Sequence, residues 1–200
     1  MKTIGLLLIF AINLLPAPAY SQDEIIGIWS ASNRTKGGLG SQWTFFRNGN
    51  VSLTFGALVD FKYEIQNNYI LMHMSKDKIV KEEFTISGDT LTIKSEEYKE
   101  PKVMKRAGIP ADTKQPLIGN WTYPHYTGQT AFMRYTSHGL AQLSVPFIVE
   151  SGTYSSEGNR IVIRLHNKEP RTYLFTRNNM KLSLKDSKTK EISDLELLEY

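Results

Sequence analysis

Apolar and polar residues alternate in short runs along most of the chain. The clearest runs are 52–55, 69–74, 90–93, 160–165 and 181–184. A period of two is typical of a β-strand with one buried face. Turn-forming residues such as Asn48, Gly49 and Gly158 separate the runs, as they do in β-hairpins. After Ser21 only 192–198 approaches a helical pattern, so the sequence predicts an all-β chain of antiparallel, hairpin-linked strands.

The chain also repeats itself at a nearly constant offset. The matching pairs are Gly27 and Gly119, Trp29 and Trp121, Phe45 and Tyr135, Gly49 and Gly139, Tyr63 and Tyr154, Phe84 and Phe175, and Lys94 and Lys185, at offsets of 90 to 92 residues. Because one offset holds over so long a stretch, we interpret the chain as a duplication. The predicted units are a first copy (22–97), a linker (98–116) marked by prolines and charges, and a second copy (117–200).

Short strands joined by tight turns favour a closed barrel, because closure removes unpaired strand edges. The preferred prediction is two tandem small antiparallel β-barrels, one per copy. The alternative is one larger barrel built from the two repeat halves. The residues predicted to face inward in the first copy are Trp29, Trp43, Phe45, Leu53, Phe55, Ile70, Met72, Met74, Phe84, Leu91 and Ile93. Their bulk predicts a filled interior, because small barrels are filled by their own side chains.

Three motifs recur in both copies: Gly-x-Trp on the first strand, an aromatic-x-x-x-Gly hairpin, and a closing Leu-x-Ile/Leu-Lys. Together they resemble the small bacterial lipocalin-like domains, present twice. The resemblance implies that each Trp packs under a basic residue of the last strand and closes the barrel floor. In this chain it pairs Trp29 with Lys94, and Trp121 with Lys185, as structural cation–π contacts.

The N-terminus has the features of a secretory signal peptide over 1–21. Lys2 precedes an apolar run over 4–15, and small residues with two prolines follow. The run is shorter than the roughly 18 residues that a membrane-spanning helix needs. We expect cleavage after Ala19 or, preferably, after Ser21. The sequence therefore predicts a secreted or periplasmic protein with no transmembrane segment after cleavage.

Composition excludes several classes of protein. The chain has no Cys, so it forms no disulfide, thiolate metal site or cysteine-linked lipid anchor. It carries 24 Lys and Arg against 20 Asp and Glu, a net charge of +4. Much of this excess lies in the linker, at Lys99, Lys102, Lys105, Arg106 and Lys114. Charges on a connector are usually solvated, so no nucleic-acid partner is predicted.

Candidate chemistry is sparse. The four histidines, His73, His125, His138 and His166, lack the spacing of metal ligands, so no metal is predicted. The chain has no Gly-x-Ser-x-Gly elbow and no His-Glu-x-x-His motif, and its glycine-rich segment 36–41 precedes a strand and not a helix. We therefore predict no catalytic residues, no enzymatic activity and no cofactor. Sequons occur at Asn33, Asn50 and Asn120, and their use depends on the host.

Two functional interpretations remain. The first is a non-catalytic lipocalin-like binding protein for a small apolar or amphipathic ligand held in a lumen. The second is a protein- or glycan-interaction module with filled barrels. The sequence assigns no ligand-binding residues under either interpretation. The volume inside the barrels distinguishes them, because typical ligand pockets exceed about 300 Å³.

Overall fold

The computed structural model describes residues 22–108 and 114–199, and it confirms the all-β prediction. A short 3-10 helix (Gln22–Glu24) precedes the strands. The strands are β1 (Gly27–Ala31), β2 (Leu39–Phe45), β3 (Asn50–Gln66), β4 (Tyr69–Ser75), β5 (Lys78–Ser87), β6 (Thr90–Lys94), β7 (Lys102–Ala107), β8 (Gly119–Pro124), β9 (Thr130–Tyr135), β10 (Leu140–Glu157), β11 (Arg160–Leu165), β12 (Arg171–Asn178), β13 (Lys181–Asp186) and β14 (Ile192–Glu199). The predicted signal peptide, 1–21, lies outside the described residues. Within them, no helix has the length and apolar character needed to cross a membrane.

The strands form a closed antiparallel ring in chain order, in which β1 pairs with both β2 and β14. The two long strands β3 and β10 also pair with each other across this ring. Their register runs from Lys62 opposite Leu140 to Asn50 opposite Thr153. This pairing divides the ring into two closed circuits of strands that share β3 and β10.

Each long strand serves both circuits with different parts of its length. In β3, 51–57 pair with β2, whereas 62–66 pair with β4. In β10, 141–144 pair with β9, whereas 152–157 pair with β11. The first circuit therefore contains β1, β2, the start of β3, the end of β10 and β11 to β14. The second circuit contains the end of β3, β4 to β9 and the start of β10.

Each circuit encloses its own hydrophobic core. The first core consists of Ile25, Trp29, Trp43, Phe45, Val51, Tyr154, Ile161, Ile163, Tyr173, Phe175, Leu182, Leu184, Leu195 and Leu197. The second consists of Tyr63, Ile70, Met72, Val80, Leu91, Ile93, Met104, Leu117, Trp121, Met133, Tyr135 and Ala141. All of these side chains are buried. Most come from alternate positions of strands, which is the period that the sequence shows.

The two copies exchange strands. The first core combines β1 and β2 of the first copy with β11 to β14 of the second. The second core combines β4 to β6 of the first copy with β8 and β9 of the second. Two equivalent hydrogen bonds tie the copies together: the Tyr63 hydroxyl donates to the Thr136 carbonyl (2.7 Å), and the Tyr154 hydroxyl donates to the Phe46 carbonyl (2.9 Å). Two tandem barrels, each built from one copy, are therefore not confirmed. The larger ring of the alternative prediction is present, but it is bridged and holds two cores.

The predicted linker is also part of the ring. Its segment Lys102–Ala107 is strand β7, which pairs with β6 on one side and with β8 on the other. Met104 of this strand is buried in the second core. The linker prediction missed the strand because its inward positions on either side of Met104 carry the charged residues Lys102 and Arg106, which obscure the alternation.

The two Gly-x-Trp tryptophans occupy equivalent positions. Each is fully buried, and each indole Nε1 donates to a carbonyl four residues earlier at 2.8 Å, Trp29 to Ile25 and Trp121 to Leu117. The structure places arginines, and not the predicted Lys94 and Lys185, over these indoles, and both lysines are exposed.

The Arg106 guanidinium carbon lies 4.0 Å from the Trp121 ring centroid, and that of Arg177 lies 5.4 Å from the Trp29 ring centroid. The same guanidinium groups donate to the backbone carbonyls that precede the tryptophan strands, at Pro116 for Arg106 and at Glu24 for Arg177. Arginine fits this position better than lysine because its planar fork stacks on the indole and bonds carbonyls at the same time.

The crossing of β3 and β10 requires a glycine. A Cβ atom on Gly56 would lie 2.2 Å from the Val145 carbonyl oxygen and 2.9 Å from the Pro146 Cα. The register then shifts between Pro146 and Ile148, so that Phe147 is an extra residue in β10. This irregularity leaves apolar side chains outside both cores. Phe55, which we predicted to face inward, is 40% exposed there. Met74, also predicted to be in the core, is 46% exposed as the extra residue of a bulge in β4.

Candidate functional site

A groove of about 330 Å³ lies on the outer face of the sheet where the two circuits meet. It crosses β2, β3, β10, β9 and β8, which are consecutive neighbours in the sheet. The polar residues that line it are Gln42, Thr44, Ser52, Thr54, Asn120, Arg134, Gln142 and Ser144, and its apolar lining includes Phe46, Phe132, Pro146 and Val149. Its strand residues alternate with core residues, so their side chains face away from both cores.

A hydrogen-bond network fixes one end of the groove. Gln142 is only 1% exposed, and its Nε2 donates to the Asp60 carboxylate (2.7 Å) and to the Ser30 hydroxyl (3.1 Å). Its Oε1 accepts from the Gln42 Nε2 at 2.8 Å. Arg34, from the loop after β1, forms a 2.6 Å ion pair with the same Asp60. Because every amide group of Gln142 is bonded, its side chain and that of Gln42 are held in place.

The opposite wall has a second anchored pair. Arg134 of β9 is 8% exposed, and its Nε donates to the Asn120 Oδ1 of β8. These residues are direct cross-strand neighbours on the outer face. The pair places a guanidinium group and an amide on this wall. Phe132, one step along β9, adds an aromatic side chain beside it.

Four hydroxyl groups face the groove between these walls. They belong to Thr44, Ser52, Thr54 and Ser144. Within residues 22–108 and 114–199, none of the four forms a side-chain hydrogen bond with the protein. Hydroxyl groups both donate and accept, so they are suited to a ligand that offers both kinds of group.

The two copies contribute different chemistry to the groove. Gln42 and Thr44 correspond to Phe132 and Arg134 at an offset of 90 residues. The first copy thus contributes an amide and a hydroxyl where the second contributes a ring and a cation. The two walls of the groove therefore differ chemically, although the surrounding strands are equivalent.

A second polar cluster lies inside the second circuit, around Glu82 of β5. Glu82 is 5% exposed, and its carboxyl group accepts a 2.8 Å hydrogen bond from the Tyr98 hydroxyl. Burial raises the pKa of Glu82, whereas the Tyr98 bond and the Lys102 charge act in the opposite direction. Burial also lowers the pKa of Lys102. The Tyr135 hydroxyl is buried close to this cluster and finds no partner among the described residues.

The histidines do not converge on a metal site. His73 approaches Glu64 at 3.6 Å, and both line a surface depression of about 570 Å³ together with His138. In the described part of the chain, no group of three His, Asp or Glu side chains is placed to hold a metal ion. His125 contacts the Thr127 hydroxyl at 2.9 Å, and His166 contacts Ser151 at 3.1 Å. These two contacts are local to loops and strand ends.

Comparison with protein-family models, with curated proteins and with solved structures finds no match. The functional interpretation therefore depends on the geometry of this chain.

Sequence reasoning missed both polar clusters. The groove residues are outward-facing polar side chains, which are ordinary for any strand of period two. The signal for the other cluster was available in the repeat: Glu82 occupies the position that Tyr173 holds in the second copy, at an offset of 91. An acidic residue in a core register is unusual because burying a charge is costly.

Proposed function

We propose that the protein is a non-catalytic glycan-binding module that holds its ligand in the outer groove between the circuits. We further propose that each circuit is a small lipocalin-like barrel with a filled interior, and that the two barrels exchange strands. The observation that carries this proposal is a groove of about 330 Å³ lined by amide and hydroxyl side chains, next to two packed cores. It favours the second interpretation of the sequence over a lumen for an apolar ligand.

The packed cores support an external site. Trp29, Phe45 and Phe175 are at most 1% exposed in the first core, as are Trp121 and Tyr135 in the second. Side chains of this size fill the space that a larger barrel leaves for a ligand. A lumen ligand would have to displace several of them.

The groove chemistry supports a carbohydrate. Sugar hydroxyls donate and accept hydrogen bonds, as do the hydroxyls of Thr44, Ser52 and Thr54. The anchored amide of Gln42 adds a further polar group at a fixed position. Phe132 offers an apolar face for the C–H side of a sugar ring. Small-molecule sites typically combine a partly apolar surface with a small number of polar groups at fixed positions.

Screening on a glycan array, followed by calorimetric titration of the best oligosaccharide, tests the proposal. Thr54→Val removes one groove hydroxyl at nearly constant shape, and we expect it to weaken binding by roughly 3- to 10-fold, the usual contribution of one hydrogen bond. Thr176→Val is the matched control, because Thr176 is an exposed residue of β12 outside the groove. Absence of glycan binding, or equal affinity of the two variants, would refute the assignment.

We also propose export, on the pattern of 1–21. Intact-mass measurement of the protein from its native host should give a chain that starts at Tyr20 or Gln22. A mature chain that still starts at Met1 would contradict the proposal.

A further inference from the structure

The cluster around Glu82 brings a carboxyl group, a phenol and an ammonium group together at one end of the second circuit. The Tyr98 hydroxyl donates to the Glu82 carboxyl group at 2.8 Å, and the Lys102 Nζ lies 4.3 Å from the centroid of the Tyr98 ring. The same ammonium group lies 5.1 Å from the Tyr123 ring. The Tyr98 phenol thus has an acceptor for its hydroxyl group and a cation over its ring face.

The second copy provides an internal comparison. The residue equivalent to Glu82 is Tyr173, and the residue equivalent to Tyr123 is Ala31, at offsets of 91 and 92. The buried carboxyl group of the first circuit at this level, Asp186, lies on the neighbouring strand opposite Tyr173 and accepts hydrogen bonds from the Lys188 and Thr189 amides, so it has no phenol as its partner. Replacing a core residue by an ionisable one usually reduces stability, and such departures concentrate at functional sites.

Tyr98 is held by a short surface segment. It lies in 95–101 between β6 and β7, among the exposed residues Glu96, Glu97, Lys99 and Glu100. A surface depression of about 610 Å³ adjoins this segment, and Ser95 and Glu97 are part of its lining. The segment therefore has few buried contacts besides the Tyr98 side chain, and it borders open space. Segments of this kind open at low free-energy cost.

We propose that the Glu82 end of the second circuit is a binding site for small phenols, which Tyr98 occupies as a built-in surrogate ligand. A free phenol that displaces Tyr98 would donate its hydroxyl group to Glu82 and place its ring beneath Lys102. This site is independent of the outer groove and of the glycan proposal.

Tyr98 competes with the ligand because it is tethered. A side chain on a short linker acts at an effective concentration of about millimolar, so the wild-type protein should bind a free phenol weakly. Removing the Tyr98 ring should remove this competition and leave the rest of the site intact. The affinity gain of the variant therefore measures how well Tyr98 imitates the ligand.

The test uses the full chain and 4-methylphenol, with toluene as the probe that lacks the hydroxyl group. We expect saturable, weak binding of 4-methylphenol to the wild-type protein and at least about tenfold tighter binding to Tyr98→Ala, by calorimetry. Tyr98→Phe, which keeps the ring but loses the Glu82 bond, should lie between them. Tyr126→Ala is the matched control, because Tyr126 is 92% exposed in the turn between β8 and β9 and makes no contact with Glu82, Tyr98 or Lys102.

Glu82→Leu in the Tyr98→Ala background separates a phenol site from an apolar hole. This change should weaken 4-methylphenol binding by about tenfold or more and leave toluene binding unchanged, because only the phenol uses the carboxyl group. Three results would overturn the proposal: no wild-type binding of 4-methylphenol, equal affinity of the wild type and Tyr98→Ala, or equal affinity of Tyr98→Ala for the two probes. If Tyr98→Ala does not fold, the comparison of Tyr98→Phe with the wild type decides.

Discussion

Gly56→Ala should separate the β3 and β10 backbones at the point where the circuits join. The new Cβ would lie 2.2 Å from the Val145 carbonyl oxygen, whereas ordinary contacts begin near 3.4 Å. The obstacle is backbone, so the strands must move apart by about 1 Å. Because N–H···O hydrogen bonds tolerate only about 2.7–3.2 Å between heavy atoms, such a shift should break the neighbouring ladder bonds. Two such bonds and the strain of overpacking together amount to roughly 2 to 6 kcal/mol of lost stability.

Urea denaturation with two further glycine variants tests this reasoning. Gly37→Ala is the neutral control, because its nearest neighbour, the Thr35 hydroxyl oxygen, lies 3.9 Å from the added Cβ, and we expect a change within about 0.5 kcal/mol. Gly152→Ala has a similar clash, 2.0 Å from the Arg164 carbonyl oxygen, but between β10 and β11. Both variants with a clash should lose stability, and only Gly56→Ala should also weaken the binding of a ligand in the groove. If Gly56→Ala unfolds at the same urea concentration as the wild type, the predicted separation of the strands is refuted.

Three further outcomes follow from the two cores. Burial raises the pKa of Glu82, so the folded state favours the protonated carboxyl group, and the stability that this group contributes declines as the pH rises above the ordinary glutamate pKa of 4.5. The urea midpoint of Glu82→Gln should therefore rise relative to that of the wild type as the pH increases from this value. Arg106→Gln should cost about 2 to 4 kcal/mol in chemical denaturation, because it removes a buried cation–π contact and two carbonyl bonds, whereas Lys94→Gln should change stability by less than about 0.5 kcal/mol. Trp29→Ala should cost roughly 3 to 5 kcal/mol of stability. Hydrogen-exchange protection should fall first in β14 and β2, the neighbours of β1, and later in β5. Loss of protection confined to strands of the first copy would contradict the exchange of strands.

Local patterning predicted the elements because it depends on neighbouring residues alone. The period of two gave the strands, and turns such as that at Asn48 and Gly49 lie between β2 and β3. The segment 102–107 was missed because the charged residues Lys102 and Arg106 take the inward positions beside Met104, whereas apolar Val103 is exposed. A run of such charges is also typical of a connector. Met74 was misplaced because the bulge after His73 interrupts the alternation, and the sequence does not show a register shift.

Pairing between copies could not be predicted in the same way. Alternation with period two indicates which face of a strand is buried, but it does not indicate which other strand is its hydrogen-bonded neighbour. Because the copies are alike, β3 can complete a core with later strands of either copy. The structure resolves this choice through length: β3 runs unbroken through Gln66, so its end leaves the core of Trp29 and joins that of Trp121. Lys94 and Lys185 were assigned within each copy for the same reason.

The exchange of strands also makes the groove a property of the duplicated chain. Gln42 and Thr54 belong to the first copy, and Asn120 and Arg134 belong to the second, yet all four line one site. A single copy would supply one wall and would lack the network through Gln142 that fixes the other side. Duplication without exchange would place equivalent walls on separate bodies. The long β3–β10 pairing instead holds both walls in one continuous sheet. The groove therefore has two chemically different walls because this pairing joins the two copies.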